Sequence, residues 1–185
     1  MLMKTIIYAS IVISSIIYSL SGCAQTLRNS TTTKGNQIAY HIQYETGSKG
    51  FEVLLIENVS NKLSKQKTVR SDRAKALAAD PQLLKVDWKA VKQIIANAIP
   101  LAKLEANKTK TISVFFYFND QGLLKEVSFG VDPKSTIDGK DLEAIENSLV
   151  GKVKGTIKND AYKGTNVISL GDAYPMGVLL KIRTQ

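Results

Sequence analysis

Residues 112–129 constrain this chain more than any other stretch. Ile112, Val114, Phe116 and Phe118 alternate with Ser113, Phe115 and Tyr117, a period of two that places the two sets on opposite faces of a pleated strand. Asn119-Asp120-Gln121-Gly122 follows, with Gly122 placed for the positive φ that hairpin loops need. Leu123, Val127, Phe129 and Val131 then alternate along a returning strand. A hairpin with so apolar a face must bury it against a second layer.

Two helices are positioned to supply that layer. Asp87 is a good N-cap ahead of Trp88, Val91, Ile94, Ile95 and Ala98, which share one helical face while Lys89, Lys92 and Gln93 face outward. Pro100 disfavours a helical Ile99 and bends or ends this helix. A second, shorter helix starts at Asp138 or Asp141, carries Leu142, Ile145 and Leu149 on one face, and closes at Gly151. Upstream, Ile38, Tyr40, Ile42 and Tyr44 alternate with Ala39, His41, Gln43 and Glu45, predicting a strand over 37–45, with 51–59 returning after the turn residues 46–50. Residues 166–170 and 177–182 are further strand candidates. The expected order from Asp87 is helix, strand, strand, helix, strand. The fold class is α+β: one domain, residues 37–185, in which two or three helices pack on an antiparallel sheet.

The amino-terminal stretch has a different character. Residues 1–4 end in a lysine, residues 5–20 are apolar and uncharged, and Leu20-Ser21-Gly22 leads into Cys23, the single cysteine. A transmembrane helix needs about 20 predominantly apolar residues, more than this run offers, whereas a charged start, a short apolar core and small residues at its end fit a secretory signal. The Leu-Ser-Gly-Cys sequence resembles a bacterial lipoprotein lipobox. The resemblance implies cleavage after residue 22, lipidation of Cys23 and an acylated new amino terminus. The chain would then be held at the membrane through its anchor, in the cell envelope. With Ala24 rather than aspartate after the cysteine, the expected seat is the outer membrane, facing the periplasm. Residues 24–36 are polar and free of periodicity and read as a flexible tether spanning roughly 20 Å r.m.s. as a coil. Lipidation would also consume the only thiol, leaving none for disulfides, thiolate metal sites or nucleophilic chemistry.

Charge offers a second line of argument. The formal net charge is +9, and removal of residues 1–22 takes away only Lys4 among the charged groups, so the basic balance belongs to the domain. Such a balance attracts anionic headgroups or acidic polymers, or simply keeps a lysine-rich surface soluble. The basic residues concentrate in 61–73 as Lys62, Lys65, Lys67, Arg70 and Arg73. Near an anionic bilayer each would contribute about 1 kcal/mol; the alternative is a solvated loop. No aromatic residues interleave with them, so the stacking platform of a single-stranded nucleic-acid site is missing, and no nucleic-acid partner is expected.

Catalytic constellations are hard to assemble from this sequence. His41, the single histidine, falls on the polar face of its strand without a partner histidine or cysteine for a metal. Glu143 with Glu146, and Asp138 with Asp141, are pairs three residues apart, close enough to be helical neighbours. Paired carboxyls serve glycosidases only across a cleft with tuned pKa values; at a helix start they are ordinarily dipole-favoured surface charge. No Gly-x-Ser-x-Gly elbow is present, and Gly47, Gly50, Gly122, Gly130 and Gly139 have no phosphate-cradling spacing. No catalytic residue, metal site or cofactor is assigned.

The hairpin of residues 112–129, followed by Ile137-Asp138 and Leu142-Glu143-Ala144-Ile145-Glu146, resembles the TonB carboxy-terminal domain family over residues 87–170. The chain lacks a Pro-rich spacer, its four prolines being scattered, and has Lys152-Val153-Lys154-Gly155-Thr156 where that family has an aromatic-x-Pro ending. The resemblance therefore implies a fold and a protein-contact habit, without energy transduction.

Together these readings describe an anchored, non-enzymatic binding or scaffolding module with an envelope protein as its partner. The alternatives are an envelope glycan hydrolase and a self-associating surface or fimbrial component. The expected contact surface is the outer face of the central hairpin, Phe115 and Tyr117, together with the basic run. The competing arrangement is that a second layer, such as the amino-terminal hairpin, covers those rings.

Overall fold

The structure, a computed structural model, describes residues 31–46, 50, 52–65, 84–157 and 168–185. The expected signal, Cys23 and residues 24–30 of the tether lie outside the described residues, as do Lys67, Arg70 and Arg73. The element order is β1 (Thr32–Lys34), β2 (Ala39–Thr46), β3 (Glu52–Asn58), β4 (Leu84–Lys85), α1 (Trp88–Ala98), α2 (Leu101–Ala106), β5 (Thr111–Phe118), β6 (Leu124–Val131), α3 (Gly139–Leu149), β7 (Thr156–Ile157), β8 (Ile168–Pro175) and α4 (Met176–Arg183).

Six strands form one antiparallel sheet in the order β1-β2-β3-β6-β5-β8, and β4 pairs with β7 in a small second sheet. The central hairpin is β5–β6, with Gly122 at φ +73° in its loop. Asn119 closes that loop, its Oδ1 accepting from the N–H groups of Gln121 and Leu123. Register shifts between Tyr117 and Phe118, so that Tyr117 faces Glu126 while Phe118 faces Leu124. This bulge moves the inward position of the returning strand: Leu124 is fully buried and Leu123 only half-buried, the reverse of what uninterrupted alternation predicts.

One face of the sheet builds the core. Tyr40, Ile42, Leu54, Ile56, Ile112, Val114, Phe116, Phe118, Val127, Phe129 and Val131 are buried there with Val91, Ile95, Leu104, Leu142, Ile145, Leu149 and Leu179 from the helices. Ring contacts stitch the layers: Trp88 of α1 meets Phe116 edge-on at 5.4 Å, and Tyr40 meets Phe129 at 6.4 Å. The chain is thus a single α+β domain, a mostly antiparallel sheet with four helices packed on it among the described residues.

The helix ends follow their caps. Asp87 accepts from Ala90 N at the start of α1, and Ile99, at φ −90° and ψ 131°, ends it ahead of Pro100. Asp138 caps α3 in a capping box with Asp141, and Gly151 follows the helix at φ +74°.

Three expectations are corrected. Residues 177–182 are not a strand but part of α4: a short apolar run fits either element, and Pro175, which cannot donate to a continuing ladder, turns the chain so that Met176 and Leu179 are buried one turn apart. Residues 101–106, left unassigned by the sequence, form α2 directly after Pro100, which brings the helix count to four. Residues 32–34, expected to lie in a tether over 24–36, instead pair with 39–41 as an edge strand.

Candidate functional site

The amino-terminal hairpin does not form a second layer over the central one. It extends the same sheet edge to edge, with Leu54 opposite Val131 and Glu57 opposite Ser128. The four helices occupy the core side, so Phe115 and Tyr117 stand on the face opposite to them, between Gly171 and Ser169 of β8 and Ser128 and Glu126 of β6, with Glu57 of β3 beyond Ser128. The large side chains are half-buried and are packed down by small neighbours. A β carbon on Gly171 would stand 3.1 Å from the Phe115 ring, so that ring lies across β8; one on Gly130 would meet Ser113 and Val53 at 3.2 and 3.4 Å. The Tyr117 hydroxyl reaches Ser128 Oγ at 3.2 Å. Burial raises its pKa above the ordinary phenol value against the hydrogen bond from Ser128, with the charges of Glu57 and Glu126 reinforcing the rise.

The basic stretch meets this face at one point. Strand alternation sets Glu126 beside Tyr117, and its carboxylate accepts the backbone N–H groups of Lys62 and Leu63 at 2.8 Å each and of Ser64 at 3.3 Å. Buried Asn61 donates from Nδ2 to Val127 O at 2.9 Å. Residues 61–64 are therefore pinned across the end of β6, which brings Lys62 and Lys65 to the rim of the surface carrying Phe115 and Tyr117. Sequence reasoning missed Glu126 as the joint. Its signal was weak: one acid in a strand whose parity the bulge reverses.

The acidic pairs are occupied in holding the fold. Glu143 is buried and accepts from the N–H groups of Gln37 at 3.1 Å and Ile38 at 3.4 Å. Glu146, also buried, accepts from Tyr40 Oη at 2.8 Å and Asn58 Nδ2 at 2.7 Å. Burial pushes the Glu146 carboxyl above its usual range in spite of those two donors, and the charge of Glu143 adds to the rise. Burial and the Glu146 charge likewise raise the Tyr40 hydroxyl strongly. Asp138 and Asp141 both bind Lys103 Nζ at 2.8 Å, and that ammonium also donates to Thr136 O at 2.7 Å. Asn107, fully buried, closes the network by bonding Lys103 O, Ser135 and Thr136.

His41 is exposed, between Thr32 and Glu57 in register. Among the described residues no group of three or more His, Cys, Asp or Glu side chains is arranged to hold a metal ion. No helix among them is long and apolar enough to cross a membrane.

No protein-family model matches this chain, and no curated protein matches it. Among solved structures, the crystal structure of a DUF5043 family protein from Bacteroides uniformis superposes with a TM-score of 0.65 at 15% sequence identity, covering 81% of this chain and 87% of that one. At that identity the likeness is one of fold.

Proposed function

We propose that this chain is an exported lipoprotein, anchored through lipidated Cys23 at the outer membrane and facing the periplasm, whose α+β domain is a non-enzymatic binding or scaffolding module for an envelope protein. The observation that carries the reading is the one-sided helix layer. It leaves Phe115 and Tyr117 on the opposite sheet face, bordered by a pinned basic loop. Aromatic rings enclosed by a polar rim are characteristic of protein contact surfaces. The engagement of Glu143, Glu146, Asp138 and Asp141 in holding backbone and core elements favours the module over the glycan hydrolase.

The test is site-specific photo-crosslinking in living cells. A crosslinker replacing Tyr117 is expected to trap one discrete protein adduct, while the same group replacing exposed Lys89 on α1 traps none. Equal background at both positions defeats the module reading, and release of soluble sugar from purified envelope glycan by the chain replaces it with the hydrolase. For the anchor, Cys23→Ala is expected to abolish labelling by a fatty-acid analogue; persistent labelling refutes lipidation there.

A further inference from the structure

The loop of residues 59–65 is fixed from beneath and open above. Underneath, Asn61 is buried against Val127 O, and three successive N–H groups converge on the Glu126 carboxylate. Three donors occupy the oxygens of that acid and limit the loop backbone's freedom to rearrange. Above lies an open depression of about 720 Å³ lined by Val59, Ser60, Asn61, Lys62 and Lys65. Among the described residues no acidic side chain is in that lining. The Lys62 ammonium has no hydrogen-bond or ion-pair partner among the described residues. Lys65 Nζ donates only to Val59 O, at 3.3 Å, so two of its three N–H groups remain available. Two ammonium groups with N–H donors to spare at one hollow suit a compact anion rich in oxygen.

We propose that this depression is a binding site for a phosphoryl group. A phosphoryl group brings up to about two negative charges and three strong acceptor oxygens, enough to engage both lysines at once, which a single carboxylate cannot do with equal charge balance. Lysine suits the task as a compact point charge. The group reaches the site either as the phosphomonoester headgroup of a lipid such as phosphatidic acid or on a soluble phosphorylated molecule; the recognising chemistry is the same. The inference deepens the reading of this surface as a binding surface and rests on it, yet it uses residues other than Phe115 and Tyr117. The loop can therefore bind phosphate even if position 117 traps no protein.

The experiment follows the backbone amide signals of residues 60–65 in the full-length chain held in zwitterionic detergent micelles. Inorganic phosphate is titrated in one arm, and phosphatidic acid, whose headgroup is a phosphomonoester, is mixed into the micelles in the other, with chloride at equal ionic strength as reference. Saturable shifts confined to these amides are expected, with affinity falling about fivefold for each lysine removed in Lys62→Ala and Lys65→Ala. The pair Lys89→Ala and Lys92→Ala, which lowers net charge equally on α1, is expected to change nothing. Shifts in both arms identify the phosphoryl group itself as sufficient, and shifts with phosphatidic acid alone identify the lipid headgroup as its carrier. The proposal is overturned by no saturable shift in either arm, by equal shifts with chloride, or by shifts that survive loss of both loop lysines.

Discussion

Gly35 lies so close to Glu143 that a β carbon on the glycine would stand 1.9 Å from Oε2. The carboxylate cannot retreat freely, because the N–H groups of Gln37 and Ile38 hold it. A second glycine completes the contact: a β carbon on Gly139 would meet Lys34 O at 2.5 Å. The edge strand β1 and the helix α3 thus meet where neither chain has a side chain to interpose.

Gly35→Ala is expected to destabilise the domain by about 1–3 kcal/mol, the usual cost of forcing extra volume into a packed contact. Because the clash is with one side chain, Glu143→Ala should relieve part of it. Denaturant unfolding of both single variants and the double variant measures the coupling. Strict additivity would show that Gly35 is required for some other reason.

Glu146 predicts a pH dependence. Its folded-state pKa is raised, chiefly by burial, so the protonated form is favoured in the native state. The stabilisation is fully present below the unfolded carboxyl value and is lost as pH rises through the folded one. Wild type is therefore expected to gain stability relative to Glu146→Gln as pH falls from 7 toward 4. Unfolding free energies of the two proteins at both pH values check this, and a constant difference contradicts it.

Asp138, paired with Lys103, works in the opposite sense. Burial disfavours the charge on both, but their mutual hydrogen bond, with Asp141 and nearby backbone N–H groups contributing, leaves Asp138 below and Lys103 above their ordinary values. The Asp138 contribution is present above the unfolded carboxyl pKa and lost as pH falls through the lower folded value; that of Lys103 is lost only as pH rises through its raised value. Lys103→Met should cost about 1 kcal/mol at neutral pH, a modest figure because the Asp138 side chain is 38% exposed. The cost should shrink as pH falls through the lowered Asp138 value. Chemical unfolding across pH 2 to 7 tests both parts.

At the other end of the helical layer, Arg183 donates from one guanidinium nitrogen to Ala96 O at 2.9 Å and to Asn97 O at 2.6 Å, with Ile99 O at 3.3 Å. These carbonyls lie at the end of α1, where a cation complements the helix dipole. Arg183→Ala is expected to cost about 1 kcal/mol and to speed hydrogen exchange in the last turn of α1 more than in the sheet. Uniform exchange changes would argue against a local cap.

What the sequence made legible was whatever depended on neighbours along the chain. The β5 alternation, the Gly122 turn, Asp87, Asp138 and Gly151 each act within a few residues, and each sits where its local chemistry directs. The misreadings arose where distant contacts decide. Leu124 rather than Leu123 is buried because a bulge changes the parity of β6. Residues 32–34 became a strand because β2 and α3 grip them, and 177–182 became a helix because α1 and α2 offered it a surface. The candidate surface was half visible. Alternation found Phe115 and Tyr117 and composition found Lys62 and Lys65, but only the Glu126 contact to residues 62–64 shows that the two groups adjoin.

The order β1-β2-β3-β6-β5-β8 has a consequence for how the chain is made. Its amino-terminal hairpin leaves the ribosome early, but the strand it must lean on, β6, is synthesised much later, and a lone two-stranded ribbon is at best marginally stable in water. Until residues 128–131 arrive to meet 54–57, the early hairpin is an unclaimed apolar ribbon. The β5–β6 pair and the helices that cover it are local enough to form first and act as the template. Residues 32–58 are then made first but join the sheet only after β6.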